Sequence, residues 1–217
     1  MDNNLEIKKF LELALKNYNL GNLLEAQNIF GKVISIEPQN IDAHLSLGLI
    51  FKRLGQFEKA KNSYELVMRL NPNVSLCYGR LGDLERALGN LVKAKIHYEK
   101  ATIFDPNSIL YHYNLAILLI EFKEYKKAIN YLKKVIEINP KHVDAYFSMA
   151  ATFKEINENE KAVDCYVKAI EIDPHNNKVL SEYGKFLVKL DYKVKGLRYI
   201  AQADGVIRFT NFDFKII

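Results

Sequence analysis

The chain has 217 residues, of which 49% are hydrophobic and 26% charged, a balance that excludes intrinsic disorder and leaves enough apolar surface to build a fold. Its 31 basic and 26 acidic residues give a net charge of +5, spread along the chain rather than gathered in one block, which argues against a dedicated nucleic-acid binder. The longest apolar run, Leu115 to Ile120, is too short to span a bilayer, and the start lacks a basic segment followed by an apolar run, so a soluble, cytoplasmic protein without membrane insertion is expected.

All five prolines, Pro38, Pro72, Pro106, Pro140 and Pro174, stand 34 residues apart. Ala26, Ala60, Ala94, Ala128 and Ala162 keep the same interval, each twelve residues ahead of its proline. An interval of this length is the signature of a helical repeat, in which each unit buries its apolar face against its neighbours. After a short lead at 1–6, the first unit, 7–40, is loose, with Ala14 and Asn17 where later units carry glycine and an aromatic residue. The second, 41–74, is the clearest: Leu47, Gly48 and Phe51 follow helical spacing, Gly55 ends that helix as a left-handed cap, and Ala60, Tyr64 and Val67 follow at i, i+4 and i+7 before Pro72. This predicts a helix, a turn and a helix, with Gly48 and Ala60 where the two antiparallel helices approach most closely. Pro72 is expected to stop the second helix.

The frame continues through 75–108 (Tyr78, Leu81, Gly82, Gly89, Ala94, Tyr98, Ala101, Pro106), 109–142 (Leu115, Ala116, Tyr125, Ala128, Val135, Pro140) and 143–176 (Tyr146, Met149, Ala150, Phe153, Ala162, Tyr166, Ala169, Pro174). At these positions the sequence resembles the tetratricopeptide repeat (TPR), whose pattern is aromatic, Leu, Gly, aromatic, Ala, aromatic, Ala, Pro. The resemblance covers five units from Ile7 to Asn176 and implies an all-α fold, a right-handed superhelical solenoid of antiparallel helix pairs. A sixth, degenerate unit at 177–206 keeps Tyr183 and Gly184 in register but has Gly196 where alanine is expected and no following proline. It reads as a capping pair whose second helix, near 194–206, uses Leu197, Ile200 and Ala203 to close the last apolar face.

The resemblance also implies a site: in TPR arrays the first helices of successive units line a concave groove that holds partner peptides. The matching positions here are Leu45, Leu49, Lys52 and Arg53, then Arg80, Asp83 and Arg86, then Tyr113, Asn114, Ile117 and Ile120, then Phe147, Lys154 and Glu155, with Lys185 and Lys189 in the last unit. Apolar and aromatic patches beside cationic side chains suit an acidic or amphipathic peptide. The carboxylate clamp of chaperone-binding TPR proteins does not fit, because its positions read Leu11, Leu15, Ser46, Leu76 and Arg80, or one unit later Leu45, Leu49, Arg80, Leu110 and Asn114. An asparagine ladder like that of the O-linked N-acetylglucosamine transferase array is also missing, Asn114 being its single candidate.

No catalytic, metal or cofactor site is expected. His44, His97, His112, His142 and His175 form no ligand pair at i, i+4, and His44 and His112 take aromatic packing positions. Gly79-Arg80-Leu81-Gly82 lacks the phosphate-loop pattern. Most glutamates read as solvated surface, paired at spacings such as Lys95 to Glu99 and Lys133 to Glu137. Cys77 and Cys165 lie more than two repeats apart and are expected to stay separate thiols. At 207–217, apolar residues alternate, change phase across Thr210-Asn211 and alternate again, as in a short hairpin that would cap the sixth unit over Leu187 and Leu197. The expected function is a non-enzymatic protein-binding adaptor or scaffold. The alternative is the regulatory or substrate-recruiting segment of a larger enzyme.

Overall fold

A computed structural model describes residues 3–205, 207–209 and 214–216. Among these, twelve helices follow one another: α1 (Asn3–Asn19), α2 (Leu23–Ile36), α3 (Ile41–Arg53), α4 (Phe57–Leu70), α5 (Ser75–Ala87), α6 (Leu91–Phe104), α7 (Ile109–Glu121), α8 (Tyr125–Ile138), α9 (Val143–Glu155), α10 (Asn159–Ile172), α11 (Asn177–Lys189) and α12 (Lys193–Ala203). They fall into two compact units, Met1–Tyr111 and His112–Ile217. In the first, α1 packs on α2, α3 on α4 and α5 on α6, with α2 also meeting α3 and α4 meeting α5. In the second, α9 packs on α8 and α10, and α11 on α10 and α12.

Each feature of the repeat has a local cause. Second helices end at Ile36, Leu70, Phe104, Ile138 and Ile172, two residues before each proline. The intervening residue, from Glu37 to Asp173, takes φ between −129° and −143° while its amide still bonds the carbonyl four residues back. Proline thus acts through its predecessor, whose α conformation it forbids by steric clash. Between the helices of a pair, the turn residue has positive φ at Gly21, Gly55, Gly89, Lys123, Asn157 and Asp191, again 34 apart. The next amide closes the turn: Gln56 N donates to the Phe51 carbonyl at 2.8 Å, and Glu124 N to the Leu119 carbonyl at 2.8 Å. The sequence pattern showed Gly55 and Gly89 and missed Gly21 and the three non-glycine residues. First helices begin at side-chain caps in three units, where Asn40 Oδ1, His142 Nδ1 and Asn176 Oδ1 accept the amides of Ala43, Ala145 and Val179.

The helix-pair contacts rest on small residues. Ala26, Ala60, Ala94, Ala128 and Ala162 are all fully buried. A Cβ on Gly48 would run into the Tyr64 ring, and one on Gly82 would come within 2.6 Å of the Tyr98 ring. Tyr64 and Tyr98 are among the largest fully buried side chains, so in these two pairs the glycine is a socket for the tyrosine of its partner helix. Gly79 is a second socket, between successive pairs: a Cβ there would strike the Tyr111 ring.

The last pair departs from expectation. Gly196 is a point of contact and not a gap, since a Cβ on it would lie 2.5 Å from the Gly184 carbonyl oxygen, and one on Gly184 would lie 2.6 Å from that of Gly196. α12 is shorter than expected, and Leu197 does not close the apolar face but stays 59% exposed, while Leu187 is buried. Beyond it, β1 (Ile207–Phe209) and β2 (Phe214–Ile216) pair antiparallel with Ile207 opposite Ile216 and Phe209 opposite Phe214. The phase change expected at Thr210-Asn211, and the side chains through which the tail would cap α12, lie outside the described residues.

Candidate functional site

In the first unit, α3 carries Leu45, Leu49, Lys52 and Arg53, and α5 carries Arg80, Asp83 and Arg86. All are half-buried except Arg53, which is exposed. Leu45 is partly core, packed against Ala60, Tyr64, Leu81 and Leu84. Arg53 lays its guanidinium over the Tyr18 ring of α1, 5.1 Å from the centroid, which ties two first helices together by a cation–π contact. Asp83 is pinned from two sides: Tyr98 of α6 donates its hydroxyl to Oδ1 at 2.7 Å, and Arg80 Nη1 lies 3.8 Å from Oδ2. The buried Tyr64 hydroxyl and Arg80 Nε have no hydrogen-bond partner among the described residues. Burial pushes the Tyr64 phenol well above its ordinary range, and the nearby Arg80 charge pulls it partly back. The face therefore offers cationic and neutral donors around one carboxylate already engaged inside the protein.

In the second unit the sites fall on α7, α9 and α11. Tyr113 and Ser148 bring α7 against α9, with the two hydroxyl oxygens 3.2 Å apart, and the Tyr113 ring lies 5.2 Å from that of His142. Burial raises the Tyr113 phenol and the Ser148 hydroxyl partly offsets this. Phe147 is half-buried between the edge of Tyr166, 6.1 Å away, and the ammonium of Lys178, 4.6 Å above its ring. Lys154 stands over Phe186 at 5.2 Å and Tyr166 at 5.9 Å. Asn114 and Ile117 are half-buried on α7. Lys178 and Phe186 of α11 escaped the sequence reading. The frame could have found them, as the second and tenth residues of the sixth unit's first helix, but that unit looked degenerate.

Outside these faces, several side chains settle into structural roles. His44 Nε2 lies 2.9 Å from the Pro38 carbonyl, and His112 stacks on Tyr131. Glu137 pairs with Lys134 at i,i+3, not with Lys133 as its spacing suggested, and Glu85, far from being solvated, is 2% exposed, holding Lys61 at 3.7 Å and the Asn90 amide at 2.7 Å. Cys77 and Cys165 are free and buried, and burial pushes both thiols up to about 12. Among the described residues no group of histidines, cysteines and carboxylates could hold a metal ion, and no helix is long and apolar enough to cross a membrane.

Two family models, both described as tetratricopeptide repeat, match residues 41–74 and 76–108, and residues 109–142 and 143–176. No curated protein matches the chain. Among solved structures, PilF of Pseudomonas aeruginosa is 17% identical with a TM-score of 0.78, covering 92% of this chain and 90% of its own. MamA is 23% identical with a TM-score of 0.69, covering 73% of this chain and 92% of its own. YrrB, described as a TPR protein with an unusual peptide-binding site, is 19% identical with a TM-score of 0.68, covering 83% and 96%. At these identities the likeness is one of fold.

Proposed function

The chain belongs to the tetratricopeptide repeat family, and from that premise we propose that it is a non-enzymatic adaptor whose first helices hold an acidic or amphipathic peptide of a partner protein. The observation that carries this reading is the face of α9 and α11. There Phe147, Lys154 and Lys178 present an aromatic ring and two ammonium groups, each braced by an aromatic or cation–π contact. Side chains braced before binding lose little conformational entropy when a ligand arrives, which favours a recognition surface. Arg53 and Arg80 give the first unit a face of the same sign. YrrB offers a precedent for peptide binding on this fold. Free thiols at Cys77 and Cys165 fit a reducing compartment such as the cytoplasm.

The test is a titration of a labelled, extended acidic peptide containing aromatic residues, followed by fluorescence anisotropy. Phe147→Ala together with Lys154→Ala and Lys178→Ala is expected to weaken binding by about tenfold or more without changing the helical circular dichroism. An unchanged affinity removes the site from this face.

A further inference from the structure

The outward positions of the second helices repeat with the array, so each helix is a control for the others. At the three positions that read Lys126, Asn130 and Glu137 in α8, and Glu160, Asp164 and Glu171 in α10, α6 carries Val92, Ile96 and Ile103. They are 64%, 48% and 72% exposed. At 100° per residue they fall within about 40° of one another on the helix, a stripe three turns long of three exposed apolar side chains, interrupted only by the half-buried Glu99 between Ile96 and Ile103. α4 has Glu58, Asn62 and Arg69 there. Apolar residues do recur at the first of these positions, as Leu24 and Val194, but at the other two α6 stands alone.

α6 also lacks the carboxylates that pair with the equivalent lysines of α8 and α10, although it keeps Glu99. In α8, Lys127 pairs with Glu124 at 2.6 Å and Lys134 with Glu137 at 3.1 Å. In α10, Lys161 pairs with Glu158, and Lys168 with Glu171 at 2.7 Å. α6 keeps both exposed lysines, Lys93 and Lys100, but the positions of their acidic partners are Asn90 and Ile103. Lys100 rests over the Tyr78 ring at 5.5 Å instead. The two lysines stand seven residues apart, two turns or about 10 Å, on the same side of the stripe.

We propose that the outer face of α6 is a docking surface for an amphipathic helix of a partner protein, with an apolar stripe flanked by acidic residues about two turns apart. Such a helix restores to Lys93 and Lys100 the carboxylates that α8 and α10 supply internally, and it covers Val92, Ile96 and Ile103. Charge argues against a second copy of this chain, because an antiparallel α6 pair centred on the stripe sets Lys93 of one copy against Lys100 of the other. The surface is separate from the α9 and α11 face and does not depend on it.

The experiment uses the full chain and a labelled, lactam-locked helical peptide of about four turns, with a leucine stripe and two glutamates seven residues apart. Val92→Lys with Ile96→Asn and Ile103→Glu installs the residues that α8 already carries, so the fold is expected to persist, with circular dichroism and melting unchanged. Binding is expected to fall by about tenfold or more, while the Phe147→Ala, Lys154→Ala, Lys178→Ala variant binds the helix as the unaltered chain does. Lys93→Glu with Lys100→Glu is expected to reverse the preference towards a peptide bearing lysines in place of its glutamates. The proposal is overturned if the unaltered chain does not bind the helix, or if the α8-like variant binds it equally well. It is also overturned if sedimentation shows a concentration-dependent dimer that the α8-like variant abolishes, or if phosphatidylserine vesicles capture the chain through the stripe and the helical peptide does not bind.

Discussion

The two units solve the same turn with different residues. In the first, the left-handed position between paired helices is always glycine, at Gly21, Gly55 and Gly89; in the second it is Lys123, Asn157 and Asp191, at φ of 59° to 70°. The hydrogen bonds that close the turn are the same on both sides. Pairing geometry therefore dictates the backbone conformation, and glycine only removes its steric cost, roughly 1 kcal/mol for a residue with a Cβ. A second contrast concerns the closest approach of paired helices. Gly48 and Gly82 of the first unit each receive a tyrosine ring, whereas Gly184 and Gly196 of the second meet backbone to backbone.

The largest expected effect tests that second contrast. Alanine is the residue other repeats place at the position of Gly196, yet Gly196→Ala should destabilise the last pair by about 3 kcal/mol, because a carbonyl oxygen on a packed helix cannot step aside as a side chain can. Thermal denaturation of Gly196→Ala beside Gly82→Ala makes the comparison. An unshifted midpoint for Gly196→Ala would show that α11 and α12 do not approach so closely.

Thiol chemistry separates the units next, since Cys77 reports on the first and Cys165 on the second. Both folded thiols titrate near 12, against an ordinary value of 9.0. Above pH 9 the unfolded chain therefore holds fewer protons than the folded one, and stability falls as pH rises, by up to about 1.4 kcal/mol per pH unit for each thiol until the folded value is reached. Below pH 9 the thiols contribute no pH dependence. Urea melts at pH 8 and pH 10 check the sign. At pH 8, alkylation by iodoacetamide should require opening of the fold, and different urea thresholds at Cys77 and Cys165 would show the units opening separately.

The smallest effects concern the turns. Gly55→Ala should cost about 1 kcal/mol, and Lys123→Gly should stabilise by about 0.5 kcal/mol, the relief of the left-handed lysine outweighing the added flexibility of the unfolded chain. Chemical denaturation resolves both. Equal destabilisation by the two would mean that Lys123 makes a contact worth more than its strain.

Much of the architecture was written in the sequence, because what sets it is local. A proline excludes helix from its predecessor, a small residue permits a close helix crossing, and both recur every 34 residues, so the pairs from 41 to 176 could be counted before any contact was known. The candidate groove positions were legible as places on first helices. Their partners were not: the bracing of Phe147 by Lys178 and the hold of Tyr98 on Asp83 join residues on different helices, and depend on how far each helix is rotated and slid against the next. The same holds for Gly196, which read as a departure from the repeat and turned out to meet the backbone of Gly184 directly. Composition and spacing act along one chain segment, so they determined the period, the helices and their ends. Which lysine finds its carboxylate, which leucine is covered and which backbone must turn left-handed without glycine are questions of distance between segments, and only tertiary packing, by bringing those atoms together, decided them.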